Sequence, residues 1–323
     1  MVRGSFILTA LLLLLGESGC IGRRPRFDDA LTARTPLGLP PLPDGPALRV
    51  LVLGDHGTGD EGQAEVSQSI ANTHASAPPH FVLTVGDNFY PRGVESVDDR
   101  LWEKAFEQAY SGTFWDAMAF FPTLGNHDTA GNEGAQIDYS YLSPRWMLPG
   151  NHHTFRRPLP SGDTVQFLAL DTNLLDQGRE RARSQVEWVD SVLEASRDRW
   201  VLAYGHHPMV TGGWHRPSET VREYLSPRFQ GRVPLFLSGH NHSTELLRVS
   251  EDLLQGICGG GAGLDNAYRV ETTPETLSAF TNGGWCFLQI WSDTVAIELY
   301  NRIGTLMFRY LIAHPEVRGT GEP

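Results

Sequence analysis

Two short, mostly apolar segments in the first third of the chain are each followed by the same dipeptide. Leu48–Leu53 and Phe81–Val85 each have the composition of a buried strand, and each is followed by Gly-Asp. Between them, residues 62–77 carry apolar side chains at helical spacing, including Val66 and Ile70. A strand, a helix and a second strand joined by short connections predict a parallel βαβ unit.

The rest of the chain continues this alternation and then changes to shorter segments. Residues 165–170, 200–204 and 234–237 are predicted to be buried strands, and residues 179–196 are predicted to form an amphipathic helix. Short apolar segments separated by Gly or Asp predict five more strands, at residues 245–249, 253–258, 285–291, 295–300 and 306–312. The pattern indicates one α/β domain over residues 47–314, which is long enough to bury a core.

Five polar clusters directly follow predicted strands, and each begins with Gly, which lets the chain turn sharply and approach a ligand closely. The clusters are Gly54-Asp55-His56-Gly57, Gly86-Asp87-Asn88-Phe89-Tyr90, Gly125-Asn126-His127-Asp128, Gly205-His206-His207-Pro208 and Gly239-His240-Asn241-His242. Because ligands of open α/β sheets bind beyond the carboxyl ends of the strands, we expect the clusters to gather at one edge. One such cluster is typical of an ordinary turn, whereas five in order indicate a site for two hard cations bound by oxygen and imidazole.

These motifs, in this order, resemble the calcineurin-like metallophosphoesterases, and most closely the small, tartrate-resistant purple acid phosphatases. The resemblance runs from about Leu48 to Ile312 and also covers residues 135–140, 145–146 and 261–263. It implies an α/β sandwich of two mixed β-sheets flanked by α-helices. It further implies a binuclear-metal acid phosphatase that hydrolyses phosphate monoesters by attack of a metal-bound hydroxide. A phosphodiesterase or nucleotide hydrolase on the same metal centre is the alternative, and a catalytically silent binding protein is a third class.

The resemblance also implies the metals and their ligands. The expected centre holds Fe(III) and a divalent ion, which is Fe, Zn or Mn. The iron site would take Asp55, Asp87, Tyr90 and His242, and the divalent site would take Asp87, Asn126, His206 and His240. Asp87 would bridge the two ions. Gly57 stands where other metallophosphoesterases carry a ligand His, and Tyr90 replaces that ligand; charge transfer from tyrosinate to iron gives the family its colour.

Two histidines are the candidates for catalysis. His127 is next to the ligand Asn126, and in the family this His contacts the substrate phosphate and helps to protonate the leaving group. His215 comes nine residues after His206, the spacing of the second catalytic His in small purple acid phosphatases. The ordinary alternative for His215 is a plain loop residue, because it follows a Gly-rich segment.

The remaining histidines receive weaker assignments. His207, His152 and His153 are expected at the rim of the cleft. Strand alternation turns His56 away from Asp55, so we expect it either to support the metal ligands from behind or to have a structural role. We expect three further histidines to face solvent, namely His74, His80 and His314. Substrate selectivity is expected in loops at residues 151–157 and 212–217.

The composition limits the partners. The chain has 38 acidic and 26 basic residues and a formal net charge of −12, which argues against nucleic acid and anionic membrane surfaces as main partners. An acidic protein that binds a phosphate ester must supply local positive charge, and metal ions are the obvious source. We therefore expect a small phosphate-ester substrate and no nucleic acid. A monomer is expected as well.

The three cysteines leave two interpretations open. If Cys20 is modified or removed, Cys258 and Cys286 remain, and an oxidising compartment would allow a disulfide between them. Both lie in apolar segments predicted to be strands. That setting favours two buried thiols that pack as small hydrophobic side chains.

The first twenty residues differ from the rest of the chain and predict export. Arg3 and the apolar residues 6–15 are typical of a signal peptide, and the apolar run is shorter than the about 20 residues of a membrane-spanning helix. The segment ends in Ser-Gly-Cys at Cys20, which resembles a lipobox, although Glu17 departs from that pattern. We expect a periplasmic protein, an outer-membrane lipoprotein anchored through Cys20, or a secreted protein.

The segments on either side of the domain have no usable periodicity. Residues 21–46 are rich in Pro and are expected to form an extended linker. Residues 315–323 are expected to form a flexible tail.

Overall fold

Thirteen β-strands form in the part of the chain that the structure, a computed structural model, describes: residues 38–261 and 270–315. The strands are β1 (Leu48–Leu53), β2 (Phe81–Val85), β3 (Phe120–Thr123), β4 (His153–Pro158), β5 (Thr164–Ala169), β6 (Trp200–Tyr204), β7 (Leu235–Ser238), β8 (Thr244–Arg248), β9 (Leu254–Cys258), β10 (Thr276–Phe280), β11 (Gly284–Ile290), β12 (Thr294–Asn301) and β13 (Leu306–Ala313). The expected signal peptide, Cys20, most of the linker and nearly all of the tail lie outside the described residues, so those expectations stay predictions.

Six α-helices and one π-helix lie between the strands of the described ranges. They are α1 (Glu61–Thr73), the π-helix Trp102–Glu107, α2 (Asn126–Thr129), α3 (Glu133–Tyr139), α4 (Thr172–Asp176), α5 (Arg179–Ala195) and α6 (Glu219–Phe229). Asp60 caps α1 by accepting a hydrogen bond from the backbone N of Gln63 at 3.1 Å. Among the helices described, none is both long enough and apolar enough to span a membrane.

The strands assemble into two mixed sheets that pack face to face. The first sheet has the order β13-β12-β11-β1-β2-β3, and the second has the order β10-β8-β9-β7-β6-β5-β4. Buried side chains such as Val52 of the first sheet and Phe167 of the second meet between them. Apolar residues of α1 and the π-helix cover the outer face of the first sheet, and those of α5 and α6 cover the second. The α/β sandwich expected from the resemblance is confirmed.

Parallel pairing in the centre of each sheet brings the polar clusters together. Strands β1, β2 and β3 are mutually parallel, and so are β5, β6, β7 and β9. At their carboxyl ends, Leu53 pairs with Thr84 and Val85 pairs with Thr123. Three of the clusters therefore follow strands of the first sheet, and the other two follow strands of the second.

The prediction of a loop at residues 151–157 is wrong, because most of this segment forms the edge strand β4. His153 pairs with Ala169, and Phe155 stacks on Phe167 with 5.2 Å between ring centroids. The strand ends at Pro158, which an edge strand tolerates because its outer side needs no backbone donors. The packing of Phe155 against the second sheet outweighs the polar composition of the segment.

The buried-thiol interpretation of the cysteines is also wrong. Cys258 at the end of β9 and Cys286 in β11 form a disulfide. Both side chains point into the core between the sheets, so the two thiols face each other across it. The bridge therefore joins the first sheet to the second.

Of the three histidines that were expected to face solvent, one is buried and one is half-buried. His74 is buried at the end of α1, where its ring stacks on Phe287 at 4.0 Å and its Nε2 accepts a hydrogen bond from Trp285 Nε1 at 3.0 Å. His314 is half-buried, and its Nε2 lies 2.9 Å from the Arg199 carbonyl oxygen. His80 is exposed, as predicted.

Candidate metal centre

Three donor atoms surround the hydroxyl of Tyr90 at the carboxyl edge of the first sheet. The hydroxyl oxygen lies 3.0 Å from Asp87 Oδ2, 3.2 Å from Asp55 Oδ1 and 3.3 Å from His242 Nε2. His242 Nε2 is in turn 3.6 Å from Asp55 Oδ1. Asp55, Asp87, Tyr90 and His242 are called the tyrosine group below.

A second set of donor atoms lies around His206. Its Nε2 is 3.0 Å from Asn126 Oδ1, 3.2 Å from His240 Nδ1 and 3.5 Å from Asp87 Oδ1. The opposite ring nitrogen, Nδ1, lies 2.9 Å from the Val85 carbonyl oxygen, to which it must donate its proton. This hydrogen bond leaves the Nε2 lone pair directed at the other donors, as a metal-binding imidazole requires. Asp87, Asn126, His206 and His240 are called the histidine group below.

Asp87 belongs to both groups through different oxygens. Oδ2 faces Tyr90 in the tyrosine group, and Oδ1 faces His206 in the histidine group. Ligands held about 2.0–2.3 Å from a single ion lie roughly 3.0–3.7 Å from one another, and the separations in both groups fall in that range. Among the His, Cys, Asp and Glu side chains of the described residues, two sets have donor atoms within 4.8 Å of one another: Asp55, Asp87 and His206, and His206, His207 and His240. The first set combines members of both groups through Asp87, and the second adds the buried His207 to the histidine group. The residues present fit two metal ions.

Three of these donors sit on backbone that non-glycine residues rarely adopt. In the described residues, Asp55, Asp87 and His240 have φ angles of 53°, 52° and 70°, and Asn282 is the one other non-glycine residue with positive φ. Such conformations cost about 1–3 kcal/mol each and cluster at functional sites. Gly86 also has positive φ, and a Cβ there would lie 2.6 Å from His206 Nδ1. The glycine permits the close approach of the two sheets at the centre.

The electrostatics of the cluster suit cations. Burial, together with Asp87, raises the pKa of Asp55 well above its usual range, because both carboxylates are desolvated near each other. Burial lowers the pKa of His242 to about 4 and that of His240 further still. Neutral imidazole is the form that binds a metal, and a cation would offset the crowded negative charge.

The structure brings both candidate catalytic histidines to the centre. His127 Nδ1 lies 2.6 Å from the Pro91 carbonyl oxygen, and its ring centroid lies 4.5 Å from that of Tyr90. The ring centroid of His215 lies 4.4 Å from that of His240. Both side chains are exposed to solvent. The two histidines therefore approach the centre from the tyrosine group and from the histidine group, respectively.

The other histidines are placed differently from one another. His207 is buried beside the histidine group, with Nδ1 2.9 Å from Thr172 Oγ1. His152 packs on Trp188, and neither His152 nor His153 belongs to the metal-binding sets found in the described ranges. His56 is buried, and its Nδ1 lies 3.2 Å from the Tyr110 hydroxyl, consistent with the expected structural role.

Sequence reasoning assigned no role to two buried residues that hold the clusters in place. The Asp128 carboxylate accepts hydrogen bonds from the backbone N of Gly125 at 2.8 Å and of Asn88 at 3.0 Å, which ties the second cluster to the third. Thr172 Oγ1 accepts the backbone N–H groups of His206 and His207 at 3.0 and 2.9 Å. Asp128 is the last residue of the Gly125-Asn126-His127-Asp128 cluster, and its position there could have indicated its role. No feature of the sequence indicated the role of Thr172.

The fold and the donor groups define a class of protein, an α/β sandwich with a candidate metal-binding site beyond the carboxyl ends of its strands. The chain belongs to the calcineurin-like phosphoesterase family, whose family model matches residues 48–244.

Named relatives extend over most of the chain. It is similar to tartrate-resistant acid phosphatase type 5 of Homo sapiens, with 28% identity over 311 residues that cover 87% of this chain and 96% of that protein. It is also similar to purple acid phosphatase 4 of Arabidopsis thaliana, with 24% identity and 84% of each chain covered. The relatives are thus acid phosphatases, as the sequence motifs led us to expect.

Two solved structures share the fold. GAP50, described as the anchor in the inner membrane complex of Plasmodium, superimposes with a TM-score of 0.76 at 21% identity and covers 84% of this chain and 90% of that chain. Purple acid phosphatase PPD1 from Lupinus luteus seeds has a TM-score of 0.63 at 15% identity, with 84% of this chain and 54% of that chain covered. At these identities the likeness establishes the two-sheet fold alone.

Proposed function

We propose that this phosphoesterase is a binuclear acid phosphatase that hydrolyses phosphate monoesters. The observation that carries the proposal is the pair of complete donor groups that share Asp87, with an exposed His beside each group. The names of the relatives, tartrate-resistant and purple acid phosphatases, support the same activity.

In this proposal the tyrosine group would hold Fe(III), the histidine group would hold a divalent ion, and Asp87 would supply one carboxylate oxygen to each. When bound, the two ions supply positive charge for the phosphate and lower the pKa of a water that serves as the nucleophile. The protein orients its own donors: the Val85 carbonyl fixes the His206 ring, and the His240 backbone N donates to Asp55 Oδ2 at 3.0 Å.

His127 is proposed as the proton donor to the leaving group. A carbonyl oxygen can only accept, so the proton between His127 Nδ1 and Pro91 O belongs to Nδ1. That contact leaves Nε2 as the atom that can hold a second proton and deliver it to the departing oxygen. The backbone N of His127 also donates to Asp87 Oδ1 at 2.9 Å, which fixes the histidine relative to the bridging ligand.

His215 is proposed to bind the phosphate from the opposite side. Its ring lies against His240, and its side chain is open to solvent where a substrate would enter.

A comparison of two aryl phosphates tests the proposal. Metal-loaded protein should hydrolyse para-nitrophenyl phosphate much faster than the bis(para-nitrophenyl) ester. Preference for the diester would instead support a phosphodiesterase, and no hydrolysis of either ester by protein with full metal content would support a silent binding protein. The control is Asp87→Asn, which removes the shared carboxylate and should lower the occupancy of both ions, whereas Asn126→Ala should mainly deplete the divalent one.

A further inference from the structure

His215 reaches the centre from an exposed loop rather than from a strand end. Residues 214–216 are all exposed, and Trp214 is 67% accessible to solvent. A displacement of about 1 Å in a catalytic group can cost about a hundredfold in rate. An exposed loop that carries such a group therefore needs a specific support.

One buried side chain holds the backbone of His215 on two sides. Asn241 Oδ1 accepts a hydrogen bond from the His215 backbone N at 2.7 Å, and Asn241 Nδ2 donates to the His215 carbonyl oxygen at 3.1 Å. Asn241 is 1% exposed. The loop also passes close to it at Gly213, where a Cβ would lie 2.5 Å from Asn241 Oδ1. The amide thus fixes both polar backbone groups of one exposed residue.

A buried carboxylate holds the beginning of the same loop. Glu245 Oε1 accepts from Thr211 Oγ1 at 3.1 Å, and Oε2 accepts from the Gly212 backbone N at 2.9 Å. Thr211 joins the two supports, because its hydroxyl donates to Glu245 and accepts from Asn241 Nδ2 at 3.0 Å. It also accepts from the Gly213 backbone N at 2.8 Å, so its hydrogen-bonding capacity is fully used.

We propose that Asn241 is a positioning residue for His215, and that Glu245 anchors the loop that carries it. Asn241 lies between two metal donors in sequence, His240 and His242, but its side chain contacts the His215 loop. Asn241 and Glu245 together would fix the position at which the His215 imidazole contacts the substrate phosphate. This inference rests on the proposed role of His215 in catalysis.

Replacement of Asn241 by Leu tests the proposal, because Leu has a similar size and removes all three hydrogen bonds. We expect Asn241→Leu to lower kcat by about tenfold or more while the metal content stays at the wild-type value. In a His215→Ala background, the same change should lower kcat by less than about twofold, because the group that Asn241 positions is already missing. Rate losses that simply multiply in the double variant would overturn the proposal, and so would a loss of metal in Asn241→Leu.

A second variant and a matched control keep the test decisive. Glu245→Gln keeps the side-chain volume and should lower kcat in the same direction even if Asn241→Leu does not fold. The control is Asn301→Leu, since Asn301 Oδ1 also accepts a backbone N–H in a turn, from Thr305 at 2.8 Å, but on β12. This control should leave kcat unchanged.

Hydrogen exchange separates this proposal from the proposed function. The amide of His215 should exchange faster in Asn241→Leu than in the wild type, because its acceptor is gone. If His215→Ala keeps the wild-type rate, the catalytic role of His215 fails, and the exchange rate alone then decides whether Asn241 holds the loop. Unchanged exchange in Asn241→Leu would overturn the support itself.

Discussion

At the residue scale, the assignment of the metals depends on Tyr90. Its hydroxyl lies within hydrogen-bonding distance of two buried carboxylates, and burial with their negative charge raises its pKa well above the ordinary value. A phenolate at this position requires a strongly charged cation to offset both carboxylates. Ferric iron supplies more charge than a divalent ion, so Tyr90 is the reason for proposing that the tyrosine group holds the iron.

We expect Tyr90→Phe to abolish the broad visible absorption of the oxidised protein while some metal is retained, because Asp55, Asp87 and His242 remain. Absorption spectra and metal analysis of the same samples measure this. Tyr110→Phe serves as the control, since Tyr110 is a buried tyrosine that belongs to neither donor group. An intact band in Tyr90→Phe would remove this residue from the ligands.

The second prediction at this scale separates the proposed roles of His127 and His215. His127→Ala should lower kcat by roughly 10²–10⁴-fold with unchanged metal content, because general acid catalysis contributes about that much. The loss should be larger for glycerol phosphate than for para-nitrophenyl phosphate, since the nitrophenolate leaves without a proton. His215→Ala should show a smaller contrast between these two substrates. Wild-type rates of both variants on glycerol phosphate would show that neither His is the acid.

At the scale of elements, strands with uninterrupted apolar runs were predictable and the edge strand β4 was not. The bounds of β1, β2 and β6 agree with the sequence pattern. β4 holds two Arg and a Pro, and its one large apolar side chain, Phe155, finds its partners only in the folded sheet. Local periodicity cannot predict a strand that is stabilised by residues distant in the sequence.

The same distinction applies to the candidate site. Its donors were predictable because each follows a strand end in a short polar motif. The roles of Asn241 and Glu245 were not, because their partners lie in a loop 26 or more residues away. Hydrogen bonds between two loops depend on the conformation of each loop, which periodicity does not encode.

The contact of α1 with β11 predicts a pH dependence of stability. Burial lowers the pKa of His74 from 6.5 to about 4, so the native state keeps this side chain neutral while the unfolded chain binds a proton below about pH 6.5. Stability is therefore lost as the pH falls from about 6.5 to 4, by about 3 kcal/mol in total. A glutamine in place of His74 keeps an acceptor for Trp285 Nε1 and does not titrate. The metal-free His74→Gln variant should therefore lose less stability in acid than the metal-free wild type.

Urea unfolding at pH 7 and pH 4.5 measures that difference. His80→Gln serves as the comparison: burial and Arg49 also lower the pKa of His80, so this change should reduce the acid loss in the same direction, but by less than His74→Gln because His80 is exposed. Equal losses in wild type and His74→Gln would contradict the prediction.

At the scale of the whole molecule, the disulfide between Cys258 and Cys286 fixes the packing of the two sheets. It closes a loop with a sequence separation of 28 residues, and constraint of the unfolded chain by such a loop stabilises a protein by about 2–4 kcal/mol. The variant with Cys258→Ala and Cys286→Ala should lose about this much free energy of unfolding. Wild type in reductant should match the variant, and equal stability of the variant and the oxidised wild type would refute the role of the bridge.

The candidate centre draws its donors from both sheets: Asp55, Asp87, Tyr90 and Asn126 follow strands of the first, and His206, His240 and His242 follow two strands of the second. The unfolded chain cannot gather these donors, so metal binding and folding are thermodynamically linked. A metal at a hundred times its dissociation constant would add about 2.7 kcal/mol to stability. The melting temperature should therefore rise with metal concentration and fall in chelator, and a melting temperature independent of metal would mean that the donors bind none. The metal concentration would then determine the fraction of the protein that is folded, as well as the rate of catalysis.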